Sequence, residues 1–462
     1  MASPSSGDAP AGADAPRGPS SPVSVPAALI AERYADYLRD ESRYGPGRAD
    51  ALYFPTTEEQ VAEILSRAQA QGTPVTVAGA RTGLVGGAVP EGGSVLAMER
   101  LNRFLGLRRD PTTGYWLLRL QPGVSLAYLR TCLENKNLPG LPPEEMAGFR
   151  ADPQPYFYAP DPTETGAQLG GTVATNASGA RGYKYGPTRE HVRALRVVLP
   201  TGEILALRRG QLRADAGAQV HLPLGTRKLA LVLPHYTMPA VKNAAGFYCH
   251  PEMDPIDLFI GSEGTLGVIT EVEIQLVPRP ESFLSGLAFF PAEEAALAFV
   301  RAARTAADVD PCSLEFLDHP SLQLLSTYRQ EVTSVTYPPF PLGSRAAVFF
   351  EQGLAGRRAP EEVLAAWETL LREHASSLDQ TWAGLDLTTL ARLRAIRHAL
   401  PEAANLIIAR AKLTCPAIYK VSTDLAVPDA ALETMFRAYQ DTYRAFRLDY
   451  LIYGHISQNH LH

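Results

Sequence analysis

PTETGAQLGGTVATNASGARGYKYGPTREHV, Pro162 to Val192, carries a Gly170–Gly171 pair, a run of small residues, Asn176 and Gly179. Small side chains in such number suggest backbone packed against something flat and bulky, with no room for a branch at Cβ. Working outward, GARTGLVGGAVPEGG lies upstream (Gly79 to Gly93) and IGSEGTLGVITEV downstream (Ile260 to Val272). Glycines let successive backbone N–H groups approach an anion closely. Glycine inside a strand pattern marks a bulge or a close ligand. The spacing fits neither G-x-G-x-x-G nor G-x-x-x-x-G-K-[ST], so dinucleotide-fold and P-loop readings fail. A tight turn explains any one of the three segments. Three in order, each at a strand-to-turn junction and about 90 residues apart, are much harder to dismiss as turns.

The pattern between them is mixed α and β. TTEEQVAEILSRAQAQG has a Thr cap, two acids and a closing Gly72, and reads as a helix. Residues 27 to 44 and SLAYLRTCLENKN read as further helices. PVTVAGA reads as a short buried strand, SVLAMERLNR and GYWLLRLQPG as strand segments, and LALVL near Leu229 as a core strand. HVRALRVVLPTGEILAL reads as a hairpin turning at Pro200–Gly202. After Pro280, apolar strands such as AAVFFEQ alternate with Ala-rich helices. The expected division is a disordered segment 1–26, a first domain 45–280, a second α+β domain 281–440 and a C-terminal segment 441–462.

Composition narrows the function. At 462 residues, 45% hydrophobic and 20% charged, the chain reads as globular with two or three domains. A net charge of −6 gives no basic footprint, so nucleic acid is not an expected partner. No apolar run reaches the roughly 18 residues of a membrane span. The first 26 residues lack the apolar core of a signal peptide. Cys132, Cys249, Cys312 and Cys415 are scattered, which fits a reducing compartment and supplies no iron–sulfur site. The expected location is cytoplasmic, or peripheral at a membrane.

The chain ends on YGHISQNHLH, with His455, His460 and His462. Histidine clusters are common metal ligands. On an extended strand His460 and His462 share a face, about 6–7 Å apart. Joining His455 to His462 requires Ser457–Gln458–Asn459 to turn.

These segments resemble flavoproteins of the vanillyl-alcohol oxidase/p-cresol methylhydroxylase type. The branch is that of glycolate oxidase FAD subunits, D-lactate dehydrogenases and D-2-hydroxyglutarate dehydrogenases. Pro74 to Gly87 is similar to its P-V-x-x-x-G-x-x-T-G-L-x-G-G, Gly170 to Gly179 to G-G-x-x-A-T-N-A-x-G, and Gly261 to Thr270 to G-S-E-G-T-L-G-V-I-T. KNAAGF from Lys242 resembles a Lys-Asn-x-x-Gly-Tyr element. The resemblance implies an α+β chain: a two-subdomain FAD-binding domain followed by an α+β substrate (cap) domain.

By that resemblance Gly79, Arg81, Thr82, Gly83, Gly86 and Gly87 hold the FAD pyrophosphate. Gly171, Thr172, Asn176 and Gly179 line the flavin, and Glu263, Gly267 and Ile269 lie toward the adenine. Members with covalent flavin carry a His near the first loop. None is present here, so the FAD is expected to be non-covalent. Arg81 stands where the common loop has glycine, and either adds a charge to the pyrophosphate or points to solvent. LRAIRHALPEA and YKVSTDLAVP resemble the elements that place Arg397 and Lys420 on a substrate carboxylate; by spacing alone, Arg394 and Arg397 would be an i, i+3 solvated face. His455 and His462 match the metal-binding histidines of G-H-x-G-D-x-N-L-H, for a divalent ion such as zinc. In the family a later Ser-x-Glu-His-Gly segment gives a third ligand and the base. No such segment is present here, so the expectation is a truncated site, or one completed by another chain.

The implied activity is FAD-dependent oxidation of a small D-2-hydroxy acid, of the D-lactate or glycolate type, to the 2-oxo acid. Arg397, Lys420, His455 and His462 are the expected catalytic residues. Expected partners are the hydroxy acid, a separate electron acceptor (quinone, cytochrome, iron–sulfur subunit or oxygen) and a second copy of the chain. Two rivals stand beside it: a catalytically impaired flavoprotein that binds FAD or a partner subunit, and a non-redox enzyme similar to alkyl-glycerone-phosphate synthase.

Overall fold

The computed structural model describes residues 23–462 apart from 43, 235, 245, 333–336, 357 and 419–421. The 1–26 segment expected to be disordered lies almost wholly outside the described residues. The chain is α+β throughout, in two halves that meet along a polar seam.

The first half holds two sheets. Val23–Pro26, Ala51–Phe54, Ser94–Ala97 and Val75–Ala78 form a four-stranded sheet in that order, parallel over its last three strands. Helix Glu58–Gln71 connects two parallel strands. Thr57 caps it, accepting from Gln60 N at 3.3 Å, and Gly72 ends it at φ 64°. Val75–Ala78 lies at the sheet edge, so only Ala78 of that strand is fully buried, contrary to the buried strand expected. The 27–44 helix shortens to Ala27–Arg33 and a 3-10 turn, Ala35–Leu38. The second sheet is antiparallel, in the order Phe104–Arg109, Trp116–Leu120, Val268–Gln275, Val192–Val198, Ile204–Arg208. The last two are the expected hairpin. The LALVL segment is a ribbon strand, Arg227–Val232, paired among the described residues only with Gln219–Leu224. Leu229 and Leu231 touch the core while Val232 is 70% exposed, so it is half-buried and not a core strand. A two-stranded ribbon has only one face to bury.

The second half is a five-stranded antiparallel sheet: Thr381–Gly384, Ser282–Phe290, Ala346–Leu354, Pro311–Leu317 and Tyr453–Gly454. Its strands alternate side chains between two apolar layers. Helices Glu293–Thr305, Pro360–Glu373 and Leu432–Ala445 cover one face, where Phe350 stacks on Trp367 at 4.3 Å. His319–Val332 and the 28-residue helix Leu387–Thr414 cover the other. A Cβ at Gly286 would lie 2.3 Å from the Phe350 ring, which explains a glycine in mid-strand. Residues 453–454 extend this sheet, so the C-terminal segment is part of the second half.

The halves are joined by ions. Arg181 donates to Glu351 at 2.6 and 3.2 Å and lies over Phe283 at 4.4 Å. Lys184 pairs with Asp310, and Gln458 donates to the Gly182 carbonyl at 3.3 Å.

Candidate functional site

The three glycine segments converge in the first half. An added Cβ at Gly79 would lie 3.4 Å from Gln168 Oε1, at Gly261 3.3 Å from Asn176, and at Gly264 3.8 Å from Val77. Gly261 N and Glu263 N donate to the carbonyls of Val173 and Ala174 at 3.0 and 2.8 Å. Around this junction Gly83, Gly87 and Gly171 face open space: nothing lies within 4 Å of an added Cβ. Gln168 Oε1 and Ser178 Oγ are buried without a hydrogen-bond partner. An open glycine floor beside orphaned polar atoms is what a flat, anionic dinucleotide cofactor needs.

Other residues of these segments serve the frame. Gly170 sits 2.4 Å (Cβ position) from Pro122, and Gly179 2.0 Å from the Asp161 carbonyl, so neither position tolerates a side chain. Thr172 Oγ1 donates to the Leu169 carbonyl, and Asn176 Oδ1 accepts from Arg189 N. Gly267 packs against the Val198 backbone, and Ile269 is buried in the sheet core. Arg81, at φ 59°, folds back: it donates to the Gly79 carbonyl at 3.2 Å and lies 4.1 Å over the Tyr37 ring. Thr82 and Gly86 lie on the same loop. Sequence reading missed Arg189, which ties two of the segments together through the Asp257 and Ile260 carbonyls.

The second cluster lies in the second half. The segment between His455 and His462 does turn, through a 3-10 turn Ile456–Gln458 and Asn459 in the left-handed region at φ 51°. His462 N donates to the Tyr453 carbonyl at 2.7 Å, closing the loop. Ring centroids are 6.0 Å apart for His455 and His462, 5.8 Å for His455 and His460, and 4.8 Å for His460 and His462. His460–Leu461 also pairs with Leu425–Ala426, which delivers Asp424. Asp424 Oδ1 pairs with His460 Nε2 and with His462 Nδ1, the latter at 3.0 Å. One donor atom from each of Asp424, His460 and His462 lies within 4.8 Å of the others. His455 turns elsewhere: its Nδ1 is 2.8 Å from Glu315 Oε1, and Glu315 Oε2 is 3.5 Å from Arg397.

Burial would push Glu315 up, but Arg397 and then His455 hold it down at about 2. Burial pulls His455 and His460 below the usual imidazole range, against the upward pull of their carboxylates. Asp424 is held well below the carboxylate range by its His460 and His462 hydrogen bonds. Lys242 enters from the first half, 2.8 Å from His460 Nδ1, and burial brings it down to about 8.

Arg397, His455 and His462 line one cavity of about 90 Å³, with Glu315, His398, Tyr453 and, from the first half, Thr163. The structure therefore brings three of the four expected catalytic residues together. Lys420 lies outside the described residues. Sequence reading did not find Glu315 and Asp424, and gave Lys242 no role in the site. Only the Lys-Asn resemblance signalled Lys242, because the three come from unrelated segments.

Known proteins match in the same two parts. Residues 49–147 and 150–208 match a model of the FAD binding domain, and residues 279–462 a model of the C-terminal domain of FAD linked oxidases. The chain is 36% identical to a D-lactate dehydrogenase of Anaerostipes hadrus over 54% of its own length and 41% of that protein's. It is 29% identical to the glycolate oxidase subunit GlcD of Bacillus subtilis, over 92% of this chain and 75% of that one. It is 28% identical to a D-2-hydroxyglutarate dehydrogenase of Xanthomonas citri, over 95% and 78%. Thus it spans less than half of the first relative's length and about three quarters of the other two. A solved alkyldihydroxyacetonephosphate synthase shares the fold, with a TM-score of 0.60 at 17% identity over 90% of this chain and 70% of that one.

Proposed function

Because the chain belongs to the FAD-linked oxidases, we propose that it oxidises a small D-2-hydroxy acid of the D-lactate or glycolate type to the 2-oxo acid. The observation that carries this reading is the cavity shared by Arg397, His455 and His462, roofed by Thr163 of the FAD-binding half. Its volume of about 90 Å³ suits the head of a short acid. FAD, when bound non-covalently, supplies the hydride acceptor. Gly79, Thr82, Gly83, Gly86, Gly87 and Gly171 would hold it, and Arg81, Thr172, Asn176, Gly179, Glu263, Gly267 and Ile269 would shape that site.

Arg397 binds the carboxylate, and its fork suits two parallel hydrogen bonds. Lys420 would assist it. Glu315 Oε1, 2.8 Å from His455 Nδ1, would hold the proton on that nitrogen. That leaves Nε2 to take the hydroxyl proton as Cα–H leaves, the role of a base set by a carboxylate. Asp424, His460 and His462 fit a divalent cation such as zinc, which needs three protein ligands and an open position. That ion would lower the pKa of a hydroxyl beside it. In this reading His462 stays a ligand and His455 becomes the base. The four cysteines of this chain are free and dispersed, and a separate acceptor would take the electrons.

The test is anaerobic addition of D-lactate and glycolate to the FAD-loaded chain. Loss of the oxidised-flavin absorbance with stoichiometric pyruvate or glyoxylate is expected. An FAD-loaded protein that is reduced by dithionite but by no 2-hydroxy acid would refute the reading.

A further inference from the structure

The Glu315 carboxylate is shared between two groups of the small cavity. Its Oε2 lies 3.5 Å from Arg397 Nε and its Oε1 2.8 Å from His455 Nδ1. An arginine beside a carboxylate favours a fork of two parallel hydrogen bonds. Among the described residues, no hydrogen bond of either kind joins Arg397 to Glu315. Nη2 instead donates to His398 Nε2 at 3.2 Å, and the guanidinium lies 5.9 Å over the Phe349 ring. His398 lines the same cavity as Arg397, Glu315 and His455.

The chemistry of the pair fixes the state of the ring. Arginine only donates, so His398 Nε2 accepts, and the imidazole is neutral with its proton on Nδ1. Burial, and then the Arg397 charge, push His398 below the usual imidazole range, which keeps that acceptor available at neutral pH.

The backbone gives a reason for a brace here. Pro401 lies inside the helix Leu387–Thr414, four residues after Arg397. It has no N–H for the Arg397 carbonyl, so the helix loses a hydrogen bond at the turn that carries Arg397 and His398. Side-chain contacts must then hold the guanidinium. Without His398, both donors of its edge would be open to Glu315, and a fork there would draw Glu315 from His455.

We propose that His398 is a positioning residue for Arg397: by accepting from Nη2 it keeps the guanidinium from forking onto Glu315, which leaves Arg397 for the substrate carboxylate and Glu315 for His455. This inference rests on the reading above, in which Arg397 binds that carboxylate.

The experiment separates binding from turnover. Oxamate, a carboxylate with no hydroxyl to oxidise, is titrated calorimetrically into the FAD-loaded full chain. His398→Leu should weaken its binding about tenfold, the order of one hydrogen bond to a charged group. His398→Gln, whose side-chain oxygen can accept from Nη2, should restore most of the affinity. In an Arg397→Gln background His398→Leu should have no further effect, because the group it positions is gone. A purely structural role would instead give additive losses. In the long-range proton–nitrogen spectrum of histidine-labelled protein, the ring that disappears in His398→Gln should carry its proton on Nδ1. Parent affinity in His398→Leu, additive losses, unchanged oxamate binding in Arg397→Gln, or a proton on Nε2 would each overturn the proposal. If the coupling to Arg397 holds while no 2-hydroxy acid reduces the flavin, the positioning role stands and the oxidase reading falls. If lactate reduces the flavin with the same KM in His398→Leu, the reverse is true.

Discussion

Lys242 Nζ lies 2.8 Å from His460 Nδ1, across the boundary between the halves and 218 residues away in sequence. With no cation bound, the charged lysine can only donate, so Nδ1 accepts and Nε2 carries the proton that faces Asp424; a cation on Nε2 would require the proton on Nδ1 and a neutral Lys242. The lysine thus fixes one imidazole tautomer from the opposite half. Lys242→Met removes that donor while keeping the apolar stem. The expected result is a 10- to 100-fold slower flavin reduction by substrate, typical of losing a partner that orients a site residue. FAD content should be unchanged. Stopped-flow reduction and the bound-flavin spectrum read both.

Arg181 and Glu351 form the most enclosed ion pair of the seam, with side chains 13% and 10% exposed. Breaking such a pair leaves a buried charge alone and costs about 3–5 kcal/mol. Arg181→Met should lower unfolding stability by that order, and Glu351→Gln likewise. The double variant should recover much of the loss, because no unpaired charge then remains. Urea unfolding of the four proteins tests this; simple additivity would mean that the pair is not coupled.

The two halves differ in how far sequence reaches. Glycine segments report backbone constraint directly, so Gly79, Gly170 and Gly261 marked a junction that the structure closes with Gly261 N and Glu263 N. The histidines were visible too, but not their division of labour. Whether His455 faces Glu315 or a metal depends on strand 311–317 and on the Leu425–Ala426 pairing, neither of which leaves a local pattern. Arg81 shows the same limit. Its position between a pyrophosphate and solvent was undecided in sequence, and the structure lays its guanidinium over the Tyr37 ring, a contact no local pattern announced. The ribbon strand near Leu229 misled because five apolar letters look alike whether one face or two are covered.

Acid and neutral pH should act on stability in opposite directions through two buried carboxyls. Glu315 is lowered from 4.5 to about 2. The unfolded chain binds that proton first, so the stabilisation is full above about 4.5 and lost as pH falls toward 2. Asp318 is raised from 3.8 to about 7 by burial, although it accepts from Ser321 N and Ile452 N. Here the folded chain binds the proton first. Stability therefore falls as pH rises from about 4 to about 7, by on the order of 4 kcal/mol. Asp318→Asn keeps an acceptor and cannot ionise, so it should flatten that decline and leave the acid limb intact. Thermal melts from pH 2 to 8 compare the two chains. A parent curve that does not fall between pH 4 and 7 would mean that Asp318 is ionised without penalty.

Gly170 and Gly171 are adjacent, yet they should fail differently. A Cβ at Gly170 would lie 2.4 Å from Pro122 Cβ, in the packed interior between the 122–124 turn and the 169–174 helix. Gly170→Ala should therefore destabilise the fold by about 1–3 kcal/mol through overpacking. A Cβ at Gly171 would meet nothing within 4 Å, and Gly171 is not among the residues held at positive φ. Gly171→Val should then fold with near-native stability, the modest helix preference of valine aside. Its branches would instead fill the open floor of the glycine junction. The expected outcome is a folded chain with at least tenfold weaker FAD binding, measured by flavin fluorescence quenching on titration of apoprotein. Full FAD affinity in Gly171→Val would move the cofactor away from this floor. Loss of folding would mean that the space beside Gly171 is filled by the chain itself.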